Sequence, residues 1–401
     1  MDAIEELLTR GVDKIYPSRE VLEKVLRSGK KLTLYQGFDP TGTQLHIGHM
    51  VGFMKLRQWQ DLGHQVIFLI GDGTGQAGDP SGKLTARNKF STREELRKNA
   101  TDYVLQAANI VKFDGDNPIK ILYNGDWLNK LTLSDILDIA GHFSLQQLAE
   151  RDLFQERIKR NEPVNLREFL YPLLQGYDSV AMKVDLELGG SDQTFNMLCG
   201  RELVKDYLHK EKFVMTTPLL TDSQGRKIGK TEGNAIAIMD EPQELYGKIM
   251  SLPDEIVGKG FEYLTRMPIE EVRNIQHSLK KGQHPMDMKK KLAYTIIEFL
   301  HNDVIAAEAQ QYFEKTVQQK ELPAEISVIT IPKAENLYLI TDLLIKTGMA
   351  GSKAEAKRLI EQGGVEVDNE KVLETNKEIV IEDSIIVKVG KRKYVEIKIK
   401  M

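Results

Sequence analysis

At 401 residues the chain has room for two or three domains of about 150 residues each. Its 55 lysines and arginines against 59 aspartates and glutamates leave a net charge of −4, which excludes a uniformly basic nucleic-acid coat, while 41 % hydrophobic and 28 % charged residues suit a chain with a sizeable core. The longest apolar run, Val66–Ile70, falls far short of the roughly 18 residues of a membrane span, the single Cys199 excludes an intrachain disulfide and disfavours a zinc cluster, and the acidic start (Asp2, Glu5, Glu6) is unlike a secretion signal, so a cytoplasmic, multi-domain protein is expected.

In chain order, Ile4, Leu7 and Leu8 mark a first amphipathic helix, and Val21, Leu22, Val25 and Leu26 a second that stops at Gly29. Leu32–Tyr35 alternates like a strand and breaks at Gln36–Gly42. A helix follows from about His46, with Met50, Phe53 and Met54 on its apolar face and Gly63 beyond its end. Val66–Ile70 reads as a buried strand that runs into the glycine-rich stretch 71–82. Ile119–Tyr123 and Leu186–Leu188 are further strands, ending in Asn124-Gly-Asp and Gly189-Gly-Ser-Asp-Gln193. Strands that alternate with helices, each ending in a polar, glycine-rich turn, predict a parallel doubly wound α/β sheet. The polar turns then share one cleft beyond the carboxyl ends of the strands.

After about residue 243 the strands stop. Met288, Leu292, Ile296, Phe299 and Leu300 recur at helical spacing, so 244–321 reads as an all-helical domain. The stretch 322–335, with Pro323 and Pro332, reads as a linker. Residues 336–401 form a small α+β unit: a helix from Tyr338 to Thr347 closed by Gly348, and a second helix opened by the capping box Ser352-Lys-Ala-Glu355 and ended by Gly363-Gly364. Three short strands follow, 365–368, 385–389 and 394–399.

Two segments carry the chemistry. His46-Ile-Gly-His49 starts a helix just after a strand, and the spacing of three puts both imidazoles on one helix face, where donors beside the positive helix end hold phosphate oxygens. Gly48 leaves room for a flat base against the backbone. Lys227-Ile-Gly-Lys-Thr231 is a cationic loop suited to a triphosphate, one residue short of the Walker A spacing. Taken singly, the first is no more than two histidines at a helix start and the second a solvated basic turn.

In order along the chain, Gly37-Phe-Asp-Pro-Thr41, His46-Ile-Gly-His49, Gly78-Asp-Pro-Ser-Gly82, Tyr171-Pro-Leu-Leu-Gln-Gly-Tyr-Asp178, Gly189-Gly-Ser-Asp-Gln193 and Lys227-Ile-Gly-Lys-Thr231 resemble the bacterial tyrosyl-tRNA synthetases, class I enzymes with a Rossmann-type catalytic domain. Met349–Ile360 and Gly363-Gly-Val-Glu-Val resemble the S4 RNA-binding domain. The resemblance spans nearly the whole chain and implies a catalytic domain over 1–243, an anticodon-binding-type helical domain over 244–321 and an S4-like domain over 336–401. It implies that Tyr35 and Asp178 hold the phenolic hydroxyl of tyrosine, and that Asp79, Tyr171 and Gln175 hold its ammonium group. Asp192 is then expected at the ribose and Gln193 near the reacting carboxyl group, with Gly37 and Gly48 also against ATP. Thr41, His46, His49, Lys227, Lys230 and Thr231 are expected at the ATP phosphates, Lys230 foremost of the two lysines. The spacing of 171, 175 and 178 puts those three on one helix face, and an ammonium needs acceptors while a phenol needs an acceptor and a donor.

Two positions depart from the family pattern: Gln36 stands where many members carry cysteine, and Ile228 and Gly229 replace the commoner methionine and serine of the lysine loop. Asp39 is equally open to capping its turn and to binding. The implied reaction is tyrosine activation with ATP and Mg²⁺, then transfer to tRNA(Tyr), by a homodimer. A tryptophanyl enzyme, a non-catalytic RNA-binding relative and a small-molecule nucleotidyltransferase remain the alternatives. Residues 336–401 hold 12 basic and 11 acidic residues, so their basicity must be positional: Lys346, Lys353, Lys357 and Arg358 on the helices, and Lys391, Arg392, Lys393, Lys398 and Lys400 on the last hairpin. These are the expected RNA contacts.

Overall fold

Six strands form the first sheet: β1 (Lys14–Tyr16), β2 (Thr33–Phe38), β3 (Gln65–Ile70), β4 (Lys120–Tyr123), β5 (Leu186–Gly190) and β6 (Phe213–Thr217), in the order β1-β6-β5-β2-β3-β4. All neighbours are parallel except β1, which caps the β6 edge antiparallel. Strand β3 lies inside the sheet between β2 and β4 and is buried on both faces, which is why it reads as an unbroken apolar run and not an alternation. Strand β2 pairs with β3 on one side and β5 on the other. The chain order reverses between β2 and β5, and such a reversal opens a crevice at the carboxyl ends of the strands.

Around this sheet run α1 (Ala3–Thr9), α2 (Arg19–Arg27), α3 (Ile47–Asp61), α4 (Thr74–Ala77), α5 (Arg93–Ala107), α6 (Gly125–Leu128), α7 (Leu133–Gly141), α8 (Leu145–Ala149), α9 (Asp152–Lys159), α10 (Leu166–Met182) and α11 (Thr194–Leu208). The computed structural model describes residues 2–81, 90–149, 152–221, 224–225, 228, 235–318, 327–332, 337–390 and 393–400. The chain divides into two units, Met1–Glu241 with Lys248–Asp303, and Pro242–Gly247 with Val304–Met401. The helical stretch after the sheet comprises α12 (Pro242–Met250), α13 (Asp254–Leu264), α14 (Ile269–Lys280), α15 (Pro285–Leu300) and α16 (Asp303–Phe313). The unit boundary runs through it, leaving α13–α15 in the first unit and nearly all of α16 in the second.

The second unit adds β7 (Ser327–Pro332), β8 (Leu337–Leu339), α17 (Ile340–Lys346), α18 (Lys353–Glu361), β9 (Val365–Val367), β10 (Glu370–Lys371), β11 (Glu378–Val380), β12 (Ser384–Val389) and β13 (Lys393–Lys400). Its main sheet has the order β10-β9-β12-β13-β7, and its own core gathers Ile331, Leu343, Leu344, Ile360, Val387 and Ile397. Three expectations change here. The segment read as a linker carries β7, an edge strand parallel to β13 that turns Ile331 into the core; an edge position tolerates Pro332, whose presence hid the alternation. The helix expected from Tyr338 starts at Ile340, because Leu337–Leu339 pair with β11 instead. The capping box is also displaced by one residue: Ser352 Oγ accepts from the Glu355 amide, but Glu355 Oε2 accepts from Gly351.

Candidate active site

One cavity of about 350 Å³ lies at the carboxyl ends of β2 and β5. It is lined by every described residue expected to hold amino acid or nucleotide: Tyr35, Gly37, Thr41, His46, Gly48, His49, Asp79, Tyr171, Gln175, Asp178, Asp192 and Gln193. Lys227, Lys230 and Thr231 lie outside the described residues; their neighbour Ile228 is buried in the cavity wall.

The deep end is built from α10, β2 and the turn after β4. Asp178 is buried, with Oδ1 accepting from Trp127 Nε1 at 2.7 Å and Oδ2 from Asn124 Nδ2 at 2.9 Å. Burial pushes its pKa well above the ordinary carboxylate range, against the pull of those two donors. Tyr35, from β2, is buried beside it with its hydroxyl 2.9 Å from Ser179 Oγ, and burial followed by the Glu187 charge raises its pKa well above the usual value. Tyr171 donates to Asp39 Oδ2 at 2.8 Å while Thr74 Oγ1 donates to Asp39 Oδ1 at 2.8 Å. Asp39 therefore spends its carboxylate on orienting Tyr171. The arrangement requires Gly71, since a Cβ there would sit 1.9 Å from Asp39 Oδ1. Asp79 accepts from Gln193 Nε2 at 2.9 Å and from the Ser81 amide at 2.8 Å.

Beneath these groups Glu187 and Lys212 form a buried ion pair. Gln175 Nε2 donates to Glu187 at 3.0 Å, and Lys212 also donates to Ser179 Oγ at 2.8 Å. Burial lowers the Lys212 pKa and the Glu187 charge opposes that shift. The sequence reading missed Asn124, Trp127, Ser179, Glu187 and Lys212. Only Asn124 had a signal, as the first residue of a glycine turn ending a strand.

The mouth is built from the start of α3. His46 is the N-cap and its Nδ1 accepts from the Gly48 amide at 3.1 Å; His49 Nδ1 accepts from the His46 amide at 3.1 Å. A ring nitrogen that accepts a backbone N–H carries no proton, so in both neutral imidazoles the proton sits on Nε2, which is a donor. The two rings lie 3.9 Å apart and are half-buried. A Cβ on Gly48 would come within 3.2 Å of the Ile228 carbonyl oxygen, so the room beside this glycine admits the lysine-loop backbone. One turn further along α3 Gln36 packs on Gly52, and its Oε1 is buried without a hydrogen-bond partner.

A family model for class I tRNA synthetases (W and Y) matches residues 27–318, and one for the C-terminal domain of tyrosine–tRNA ligases matches 318–397. The chain belongs to the class I tRNA synthetases. It is 41 % identical to the tyrosine–tRNA ligase of Thermotoga maritima, covering 98 % of this chain and 96 % of that one. It is 40 % identical to that of Moorella thermoacetica, with 97 % and 94 % covered. Among solved structures, a C-terminally truncated mitochondrial tyrosyl-tRNA synthetase of Coccidioides posadasii superposes with a TM-score of 0.63 at 26 % identity, covering 78 % of this chain and 91 % of that one.

In the second unit, Lys346, Lys353, Lys357, Arg358, Lys393 and Lys398 are all exposed. Lys346 donates to the Tyr338 hydroxyl at 2.7 Å, Lys353 pairs with Asp342 at 2.7 Å and Lys398 with Glu396 at 3.1 Å. Lys391 and Arg392 lie outside the described residues, as does the side chain of Lys400.

Proposed function

We infer that this cleft activates L-tyrosine with ATP and passes the tyrosyl group to tRNA: the chain is a tyrosine–tRNA ligase. The observation that carries the reading is the buried Asp178 beside Tyr35, an acceptor and a hydroxyl together at the end of a cavity whose mouth holds two imidazole donors. A phenol satisfies such a pair, whereas an indole has one donor and no acceptor, which disfavours tryptophan. Asp79, Tyr171 and Gln175 would hold the ammonium group, which places the carboxylate near Gln193. A tyrosine carboxylate is already ionised at neutral pH, so attack on the α-phosphorus needs no general base. As its oxygen bonds to phosphorus, the bond to the bridging oxygen breaks and pyrophosphate leaves with the electron pair. Catalysis is then positioning plus stabilisation of phosphate charge.

The Nε2–H groups of His46 and His49 would bind those phosphate oxygens, with Thr41, Lys227, Lys230 and Thr231. Magnesium arrives as part of the MgATP substrate. Gly37, Gly48 and Asp192 would face the nucleoside, and a ligand hydroxyl would satisfy the buried Gln36 Oε1. Lys346, Lys353, Lys357, Arg358, Lys391, Arg392 and Lys393 would contact tRNA(Tyr) phosphates through a shape-reading surface. Leu133 and Leu137 share one face of α7 and are exposed, as are Leu145 and Leu166; a second copy of the chain would cover them in a homodimer. Among the described residues no helix is long and apolar enough to cross a membrane, in keeping with a cytoplasmic enzyme. ATP–pyrophosphate exchange across the amino acids tests the reading: exchange should require tyrosine, and exchange supported equally by tryptophan, or by none, would overturn it.

A further inference from the structure

A charged pair buried under the ammonium end of the cleft has no place in the chemistry above. Glu187 is 2 % exposed and Lys212 0 %. The three protons of the Lys212 ammonium meet three acceptors: Glu187 Oε2, Ser179 Oγ at 2.8 Å and the Met197 carbonyl at 3.2 Å. The other carboxylate oxygen, Oε1, accepts from Gln175 Nε2 at 3.0 Å. Burying an ion pair is a weak way to stabilise a fold, since an apolar pair of similar volume often serves as well. The geometry gives it a different use. A carboxylate only accepts, so the Gln175 amide must turn its NH₂ to Glu187 and keep Oε1 for the cleft that both residues line. Without that constraint the amide can rotate by half a turn and present two donors to a ligand ammonium, which has only donors itself.

We propose that Glu187 and Lys212 are positioning residues for the amino group of the substrate: Glu187 locks the Gln175 amide with its oxygen toward the ammonium, and Lys212 holds Glu187 in place. The proposal rests on Gln175 facing the ammonium group. It makes recognition of the amino group depend on two residues that the sequence places on β5 and just before β6, neither of which touches that group.

The test compares dissociation constants for L-tyrosine and for 3-(4-hydroxyphenyl)propanoate, the same molecule without its amino group. Glu187→Gln should cut the preference for tyrosine over this analogue by about tenfold, the size of one charge-assisted hydrogen bond. The analogue carries the same phenol, so any effect passed through Ser179 to Tyr35 cancels in this ratio, which a merely structural role would leave unchanged. The double variant Glu187→Gln with Lys212→Met leaves no uncompensated charge, and it should show the same loss even if the single variant folds poorly. In a Gln175→Met background, Glu187→Gln should have no further effect on the preference. An unchanged preference in both Glu187 variants overturns the proposal, and so does an undiminished effect in the Gln175→Met background, which would make Glu187 a direct contact. If Gln175→Met alone leaves the preference intact, the assignment of Gln175 to the ammonium fails first and the proposal falls with it.

Discussion

The two ends of the cleft are built on opposite principles. At the deep end Tyr35, Asp178, Gln175 and Tyr171 each spend part of their hydrogen-bonding capacity on a protein partner, and Asp178, Tyr35 and Tyr171 are buried. At the mouth His46 and His49 are half-buried, Thr41 is exposed, and the imidazoles are oriented by the backbone of α3. The difference follows from the two tasks. Telling a phenol from a phenyl ring requires buried groups whose remaining valences only the right ligand satisfies. Stabilising charge that appears during transfer requires donors held in place but still reachable by a triphosphate.

The sharpest way to break this division is at the mouth. His46→Asn keeps a side-chain acceptor for the helix start but removes the Nε2 donor, and it should slow tyrosyl-adenylate formation by about 10²–10³-fold with tyrosine affinity unchanged; single-turnover kinetics measures the rate. Next in size is the loss of the second unit. Because β7 belongs to its sheet, a chain ending at 318 removes that sheet intact. Adenylate formation should survive, while charging of tRNA at physiological salt should fall by about a hundredfold and the salt dependence of tRNA binding should flatten. Equal charging by the shortened chain would remove the RNA role from Lys346, Lys353, Lys357 and Arg358.

At the deep end, Asp178→Ala should weaken tyrosine binding by about tenfold to a hundredfold, for one hydrogen bond to a charged group, and should reduce the preference over phenylalanine. The smallest effect lies on the buried side of α3, the helix that begins at the histidines. Lys55 is buried and donates to the Leu7 carbonyl at 2.8 Å and to Gln58 Oε1 at 2.6 Å; burial, helped by Arg10, lowers its pKa to about 7. Between about pH 7 and the ordinary lysine value the unfolded chain holds a proton that the folded chain lacks, so stability should rise with pH there, by up to about 1.4 kcal/mol per pH unit. Denaturant titrations of Lys55→Met across that window should show the rise abolished.

Local signals were legible in the sequence and long-range ones were not. The histidine pair, the ends of β2, β3, β4 and β5, and the face shared by 171, 175 and 178 each follow from spacing within one segment. The partners of Asp178 come instead from the turn after β4, about fifty residues away, and Lys212 reaches Glu187 across two neighbouring strands. A lone lysine just before an apolar strand reads as surface until the fold closes over it. Proline masked β7, because its edge position is visible only once β13 lies beside it. Asp39, open to two readings from its turn, took its role from Tyr171 on a helix over a hundred residues later.

The central claim is that recognition and chemistry occupy separate ends of one cleft. It is tested most directly by measuring, on His46→Asn and Asp178→Ala side by side, the tyrosine dissociation constant and the rate of tyrosyl-adenylate formation at saturating tyrosine. The account predicts a large fall in rate with an unchanged dissociation constant for His46→Asn, and chiefly a raised dissociation constant for Asp178→Ala. Both quantities shifting by the same factor in both variants would contradict it.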